Sequence, residues 1–218
     1  MHPTKLFIMK KALAFIALLT ILLSFNACKK SGGSSNNTNG IICTTSPYKI
    51  GSVATYGNSS GSYTVTINGN STYNGKNYFT GITTSGSSTV TGYIYLDPNN
   101  GDEWQMLPAT GDLPQQEMIY CKPSQAVGST WSYTFQSVTM PGIVTYKYTF
   151  AIAKQGVSFT LGNTTNTNCT QSHCIVETFY NGALMGSGTA DYTFACGWGL
   201  VQTLQNGSVY STLTALKY

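Results

Sequence analysis

From Gly40 onward apolar and polar residues alternate with a period of two. The pattern is clearest at Val144, Tyr146, Tyr148, Phe150 and Ile152, with Thr145, Lys147, Thr149 and Ala151 between them. Successive side chains of a strand point to opposite faces, so this run predicts a long antiparallel strand with one buried face. Trp131, Tyr133 and Phe135 repeat the pattern in the strand before it, with Pro141-Gly142 as the turn between the two. Asn74-Gly75, Asn181-Gly182 and Asn206-Gly207 each sit between strand-like runs, as type I′ hairpin turns require, and Asn68-Gly69 is placed as a fourth. Asp97 to Asp102 makes a longer turn after the run from Thr89 to Leu96. No segment after Gly40 carries a helical stripe; one short helical turn is expected over 124–126.

These signals predict around ten to twelve strands in hairpin order. Sequential hairpins without crossover helices build an antiparallel meander. One flat sheet of that length would leave an apolar face in water, so it must curl. The expected fold is all-β: a strongly curved, barrel-like or half-barrel sheet forming a single domain over 43–218, with two halves meeting near Lys122.

The first 27 residues differ in kind. Lys5, Lys10 and Lys11 form a basic start, Ala12 to Phe25 is an apolar run without charge, and Ala27 stands directly before Cys28. The run is short for a bilayer span, which needs about twenty apolar residues, and suits a secretory leader. Phe25 and Asn26 occupy positions where an ordinary cleavage site carries a small residue. The end of the leader resembles a bacterial lipobox, although Phe25 stands where Leu is commoner. That resemblance implies diacylglyceryl and further fatty-acyl (palmitate-type) chains on Cys28, and two or more chains anchor stably. Residues 28–42 read as a flexible Gly/Ser/Asn tether.

Charge adds little. Asp, Glu and Lys make up 8% of the chain and Arg is absent; without the leader lysines the net charge is +1, which gives no argument for nucleic-acid binding. Tyr 15, Phe 9 and Gly 23 favour strands and tight turns.

With Cys28 acylated, Cys43, Cys121, Cys169, Cys174 and Cys196 remain, an odd set in which at most two bridges form. An oxidising envelope makes disulfides the expectation. If the Asn181-Gly182 hairpin pairs Tyr180 with Ala183, Cys196 falls opposite Thr167, and one bulge or slip brings it against Cys169. A Cys169–Cys196 bridge is therefore expected, with Cys169–Cys174 as competitor and Cys43–Cys121 as the second pair. Zinc held by three Cys and His173 is the alternative chemistry; it fits the usual ligand spacing only loosely.

No catalytic set is legible. His173 is the lone His after the leader, and its neighbours Cys169 and Cys174 lie too close in sequence for a Cys–His pair. Gly57-Asn58-Ser59-Ser60-Gly61 matches a nucleophile-elbow string, but a strand and not a helix follows it. Asp97, Asp102, Glu103, Asp112, Glu117, Glu177 and Asp191 show no spacing that sets two carboxylates across a cleft. Asp97, Asn99 and Asp102 depart from a calcium loop and read as a turn. Trp104, Trp131 and Trp198 are candidates for ligand stacking, although aromatics of a small β domain usually serve its core.

The lipobox with its tether resembles the lipoproteins of Bacteroidota. Val127-Gly128-Ser129-Thr130-Trp131 and Gly197-Trp198-Gly199-Leu200-Val201 are similar to a strand opener and a C-terminal element of such proteins. The resemblance implies a curved antiparallel sheet, distantly like the half-barrels of lipoprotein carriers, and brings no catalytic residue. In that group an acidic patch after the cysteine goes with surface export; no Asp or Glu occurs here before Asp97, which points to the periplasmic face of the outer membrane. The expectation is a non-catalytic protein without cofactor or metal, held to the membrane by its N-terminal lipid, that binds an apolar small molecule or a protein partner or serves a structural role. A carbohydrate-binding accessory protein with exposed aromatics is the alternative.

Overall fold

The structure, a computed structural model, describes residues 40, 43, 45–109, 114–139 and 142–218. The leader, Cys28, most of the tether and Pro141 of the Pro141-Gly142 turn lie outside the described residues.

Twelve strands follow one another: β1 (Val53–Asn58), β2 (Gly61–Tyr73), β3 (Lys76–Ser85), β4 (Ser88–Leu96), β5 (Glu103–Leu107), β6 (Gln116–Cys121), β7 (Thr130–Thr139), β8 (Gly142–Leu161), β9 (Thr164–Tyr180), β10 (Ala183–Ala195), β11 (Gly199–Gln205) and β12 (Ser208–Lys217). Their order across the sheet is β6-β5-β4-β3-β2-β1-β12-β11-β10-β9-β8-β7. Two six-strand meanders are thus joined by pairing the first strand with the last, Val53 opposite Lys217. The chain changes from one meander to the other after Cys121, through turns at 123–128 in place of the expected helical turn.

Three hairpins close as the Asn-Gly signal predicts. Asn74, Asn181 and Asn206 have φ of 46°, 47° and 48°, and the glycine after each is positive too. Both central residues of a type I′ turn need that conformation. Asn68-Gly69 behaves differently: it lies inside β2, where the register against β3 shifts between Ile67 and Gly69. Strand-forming residues continue on both sides, so the pair makes a bulge rather than a turn.

Alternation sets the packing. Tyr148, Phe150 and Ile152 of β8 are buried, and Phe150 stacks on Trp131 of β7 with centroids 5.5 Å apart. Tyr148 and Phe150 form one apolar cluster with Met118 and Cys174, and Trp131 packs against it. A second gathers Tyr56, Cys169, Ala195, Val201 and Leu213, with Trp198 and the far end of β8 (Val157, Phe159, Leu161) against them. That end of β8 is bent by three register shifts between Ile152 and Phe159.

The edge strands β6 and β7 do not form a ladder with each other, yet the sheet is almost closed. The Ile119 N–H of β6 donates to Tyr133 Oη at 3.0 Å, and the Ile119 carbonyl accepts from Trp131 Nε1 at 2.8 Å. Ser172 Oγ of β9 donates to the Tyr120 carbonyl at 2.5 Å. Side chains therefore satisfy part of an edge whose unpaired backbone would otherwise invite another strand.

Candidate functional site

Inside the curl of the first meander lies a cavity of about 610 Å³. Three of its walls follow the two-residue repeat, Ala54, Tyr56 and Asn58 of β1, Tyr63, Val65 and Ile67 of β2, and Gly81, Thr83 and Ser85 of β3, while β4 contributes the continuous run from Val90 to Ile94. The space has an identifiable origin. Gly81 and Gly92 stand directly opposite each other in the β3–β4 ladder. A Cβ on Gly81 would touch Val65 and Ile67, but one on Gly92 would meet nothing within 4 Å. Tyr120, Tyr192, Trp198 and Tyr210 close other sides.

Among the described residues, Glu103 is the only charged one lining the cavity. It opens β5 and is 4% exposed. Tyr48 Oη donates to Glu103 Oε1 at 2.6 Å, and that is the carboxylate's sole hydrogen bond among the described residues. Burial pushes Glu103 up to about 7, with the Tyr48 hydrogen bond pulling the other way. Tyr48 itself is raised, by burial first and then by the adjacent carboxylate. Gly199 makes room for this pair: its φ is +75°, and a Cβ there would lie 2.7 Å from Tyr48 Oη. The tyrosines are also organised, Tyr56 stacking on Tyr63 at 5.0 Å and donating to the Leu200 carbonyl at 2.7 Å.

The tryptophans do not form an exposed row. Trp104 carries Lys76 Nζ 3.8 Å from its ring centroid, and Lys76 also bonds Glu117 at 2.7 Å. One face of that indole is already occupied. Trp131 belongs to the aromatic cluster of β7 and β8. Trp198 alone of the three faces the cavity.

The cysteine pairing differs from the expectation. The disulfide joins Cys43 to Cys196, and Cys121, Cys169 and Cys174 are buried free thiols. The β9–β10 hairpin contains one bulge near Leu184, which moves the register by a single residue and pairs Cys169 with Ala195. Cys196 follows, its N–H on the Asn168 carbonyl. Neighbouring strand positions face opposite ways, so Cys196 turns away from Cys169 and meets Cys43. Cys43, Cys121 and Cys196 line one small pocket, but Cys121 stays reduced beside Glu103, its cross-strand partner. Cys169 and Cys174 lie in the extended β9, not in a loop, on opposite faces of the strand. Burial pushes their thiols up to about 11 and about 12.

His173 Nδ1 bonds Asp191 Oδ1 at 2.8 Å. The pair spans directly opposed positions of β9 and β10, on the face away from Cys174. The Asp191 hydrogen bond raises the His173 pKa, against burial, which lowers it. Among the described residues no three of His, Cys, Asp and Glu gather as metal ligands.

Sequence reasoning singled out neither Glu103 as a buried group nor Gly92 as the source of the space. A signal existed for the first: counting across the Asp97–Asp102 turn sets Glu103 opposite Leu96, an inward position.

The fold and site define a class: among the described residues, a nearly closed, twelve-stranded antiparallel sheet holding an aromatic-lined cavity with one acidic group, Glu103. The fold is shared with a crystal structure from Parabacteroides distasonis, assigned provisionally as a lipoprotein, at a TM-score of 0.52 and 14% identity over 81% of this chain and 99% of that one. A provisionally exported protein of YmcC-like fold from Bacteroides fragilis is also similar, at a TM-score of 0.43 and 9% identity over 83% of this chain and 100% of that one. No family model and no curated protein matches the chain.

Proposed function

We propose that this chain is a non-catalytic protein of the bacterial cell envelope that holds an apolar small molecule inside its sheet. The cavity carries the reading: its size suits a small organic ligand, and most of its lining residues are apolar or aromatic, with Ser, Thr, Asn, Gln and Glu103 between them. The leader over 1–27, acylation of Cys28 and the tether over 28–42 complete it, placing the folded part beside the outer membrane on its periplasmic side. The shared fold with a provisional Parabacteroides lipoprotein is consistent with that setting. A carbohydrate-binding role on exposed tryptophans has less support, because Trp104 is covered by Lys76 and Trp131 is packed under Phe150.

The test is to fill the space. Gly92→Leu puts a side chain where nothing lies within 4 Å of the Cβ, so the variant folds and loses capacity for a neutral apolar probe such as 1-decanol in calorimetric titration. Unchanged binding by Gly92→Leu sinks the reading. Mass spectrometry of the mature N-terminus tests the anchor: an unmodified Cys28 removes it.

A further inference from the structure

The proposed cavity leaves open which polar head an apolar ligand would carry, and this inference rests on that reading. Three observations constrain the head. Among the described residues the lining contains one carboxylate, Glu103, and no Lys, Arg or His. That carboxylate is almost wholly buried and has a single hydrogen-bond partner among the described residues, Tyr48, which engages Oε1. The same cavity is lined by the aromatic residues Tyr48, Tyr56, Tyr63, Tyr120, Tyr192 and Trp198, of which Tyr48 touches the carboxylate. A buried acid with so few hydrogen bonds is costly unless something else offsets its charge. An anionic head, as in a fatty acid, would meet repulsion and find no cation. A cation would gain a charge-assisted hydrogen bond to the carboxylate and favourable contact with the ring faces.

We propose that the cavity selects an amphiphile with an apolar body and a protonated amine head, the amine seated against Glu103. Carboxylate and tyrosines together form the head site. The β3–β4 wall around Gly92 forms the tail site. Glu103 is a binding residue here, and no covalent step is involved.

Three ten-carbon probes distinguish the heads: decylamine, 1-decanol and decanoate, titrated calorimetrically below their micelle concentrations near pH 8. The expected result is decylamine binding about tenfold tighter than decanol, as a charged hydrogen bond implies, with decanoate weakest. Glu103→Gln keeps an acceptor for Tyr48 and removes the charge, so it abolishes the preference for decylamine over decanol. Gly92→Leu weakens both probes together. Equal binding of amine and alcohol to the unaltered protein overturns this inference and leaves the apolar-cavity reading standing. A preference that survives Glu103→Gln also overturns it. Failure of every probe to bind, or binding indifferent to Gly92→Leu, overturns both.

Discussion

Tyr48 and Glu103, fifty-five residues apart, meet in a 2.6 Å hydrogen bond at the wall of the cavity. Tyr48 comes from the segment before β1 and Glu103 from the start of β5, so the bond ties the entry of the chain to the far side of the first meander.

Glu103 titrates near 7 in the folded protein against 4.5 ordinarily. Between those values the folded state holds the extra proton, so its stability falls as pH rises from about 4.5 to about 7 and levels off above. The penalty above pH 7 is about 3 kcal/mol. Glu103→Gln removes it: the variant should be more stable than the parent near pH 8 and converge with it near pH 4. Asp102, pushed up to about 6 chiefly by burial, adds the same slope to both proteins and cancels in the comparison. Urea titrations at a series of pH values measure this; equal slopes for the two proteins refute it.

Gly199→Ala should uncouple the pair. The new methyl would sit 2.7 Å from Tyr48 Oη on a backbone of φ +75°. A strained left-handed residue and a displaced tyrosine together cost about 1–3 kcal/mol. Thermal unfolding reads the loss, and the Glu103 carboxyl followed by NMR should move as its donor leaves. An unperturbed Tm and carboxyl resonance would show that Tyr48 packs elsewhere.

Cys43–Cys196 closes a loop of 153 residues. A link of that span restricts the unfolded chain strongly, so replacing both cysteines by Ala should cost about 3–5 kcal/mol. Non-reducing peptide mapping should recover this one bridge. Cys121, Cys169 and Cys174 should resist alkylation until the protein unfolds, since all three are buried and their thiols are raised by burial. A Cys169–Cys196 peptide, or rapid labelling of the folded protein, contradicts the pairing.

Tyr133→Phe should open the seam locally. It removes the oxygen that accepts the Ile119 N–H and leaves the ring in place. The expected cost is about 1 kcal/mol, with faster hydrogen exchange at the Ile119 amide. Trp131→Phe removes the donor to the Ile119 carbonyl instead, and should leave that amide protected. Identical exchange in the two variants would mean that the edges are not joined this way.

Much of the architecture could be read in advance because its causes are local. The β8 alternation from Val144 to Ile152 settles which face is buried, since a strand alternates by geometry. The Asn-Gly turns at 74, 181 and 206 carry their own conformational requirement. Asn68-Gly69 misled because the same dipeptide also suits a bulge, and only the continuous partner strand β3 decides between the two. The cysteines misled for a related reason: a single bulge near Leu184 reverses which side Cys196 faces, and only the pairing of β10 with β9 shows where that bulge falls.

The sequence by itself determined that this chain folds as hairpins into a curled, all-antiparallel sheet, because strand period and turn chemistry act between neighbours. Tertiary structure alone decided that β1 pairs with β12, that Cys43 reaches Cys196, and that Tyr48 and Glu103 meet beside the space left at Gly92. Those contacts join residues far apart in the chain. Their partners are chosen by how the whole sheet curls and shifts register, a property that no short stretch of residues carries.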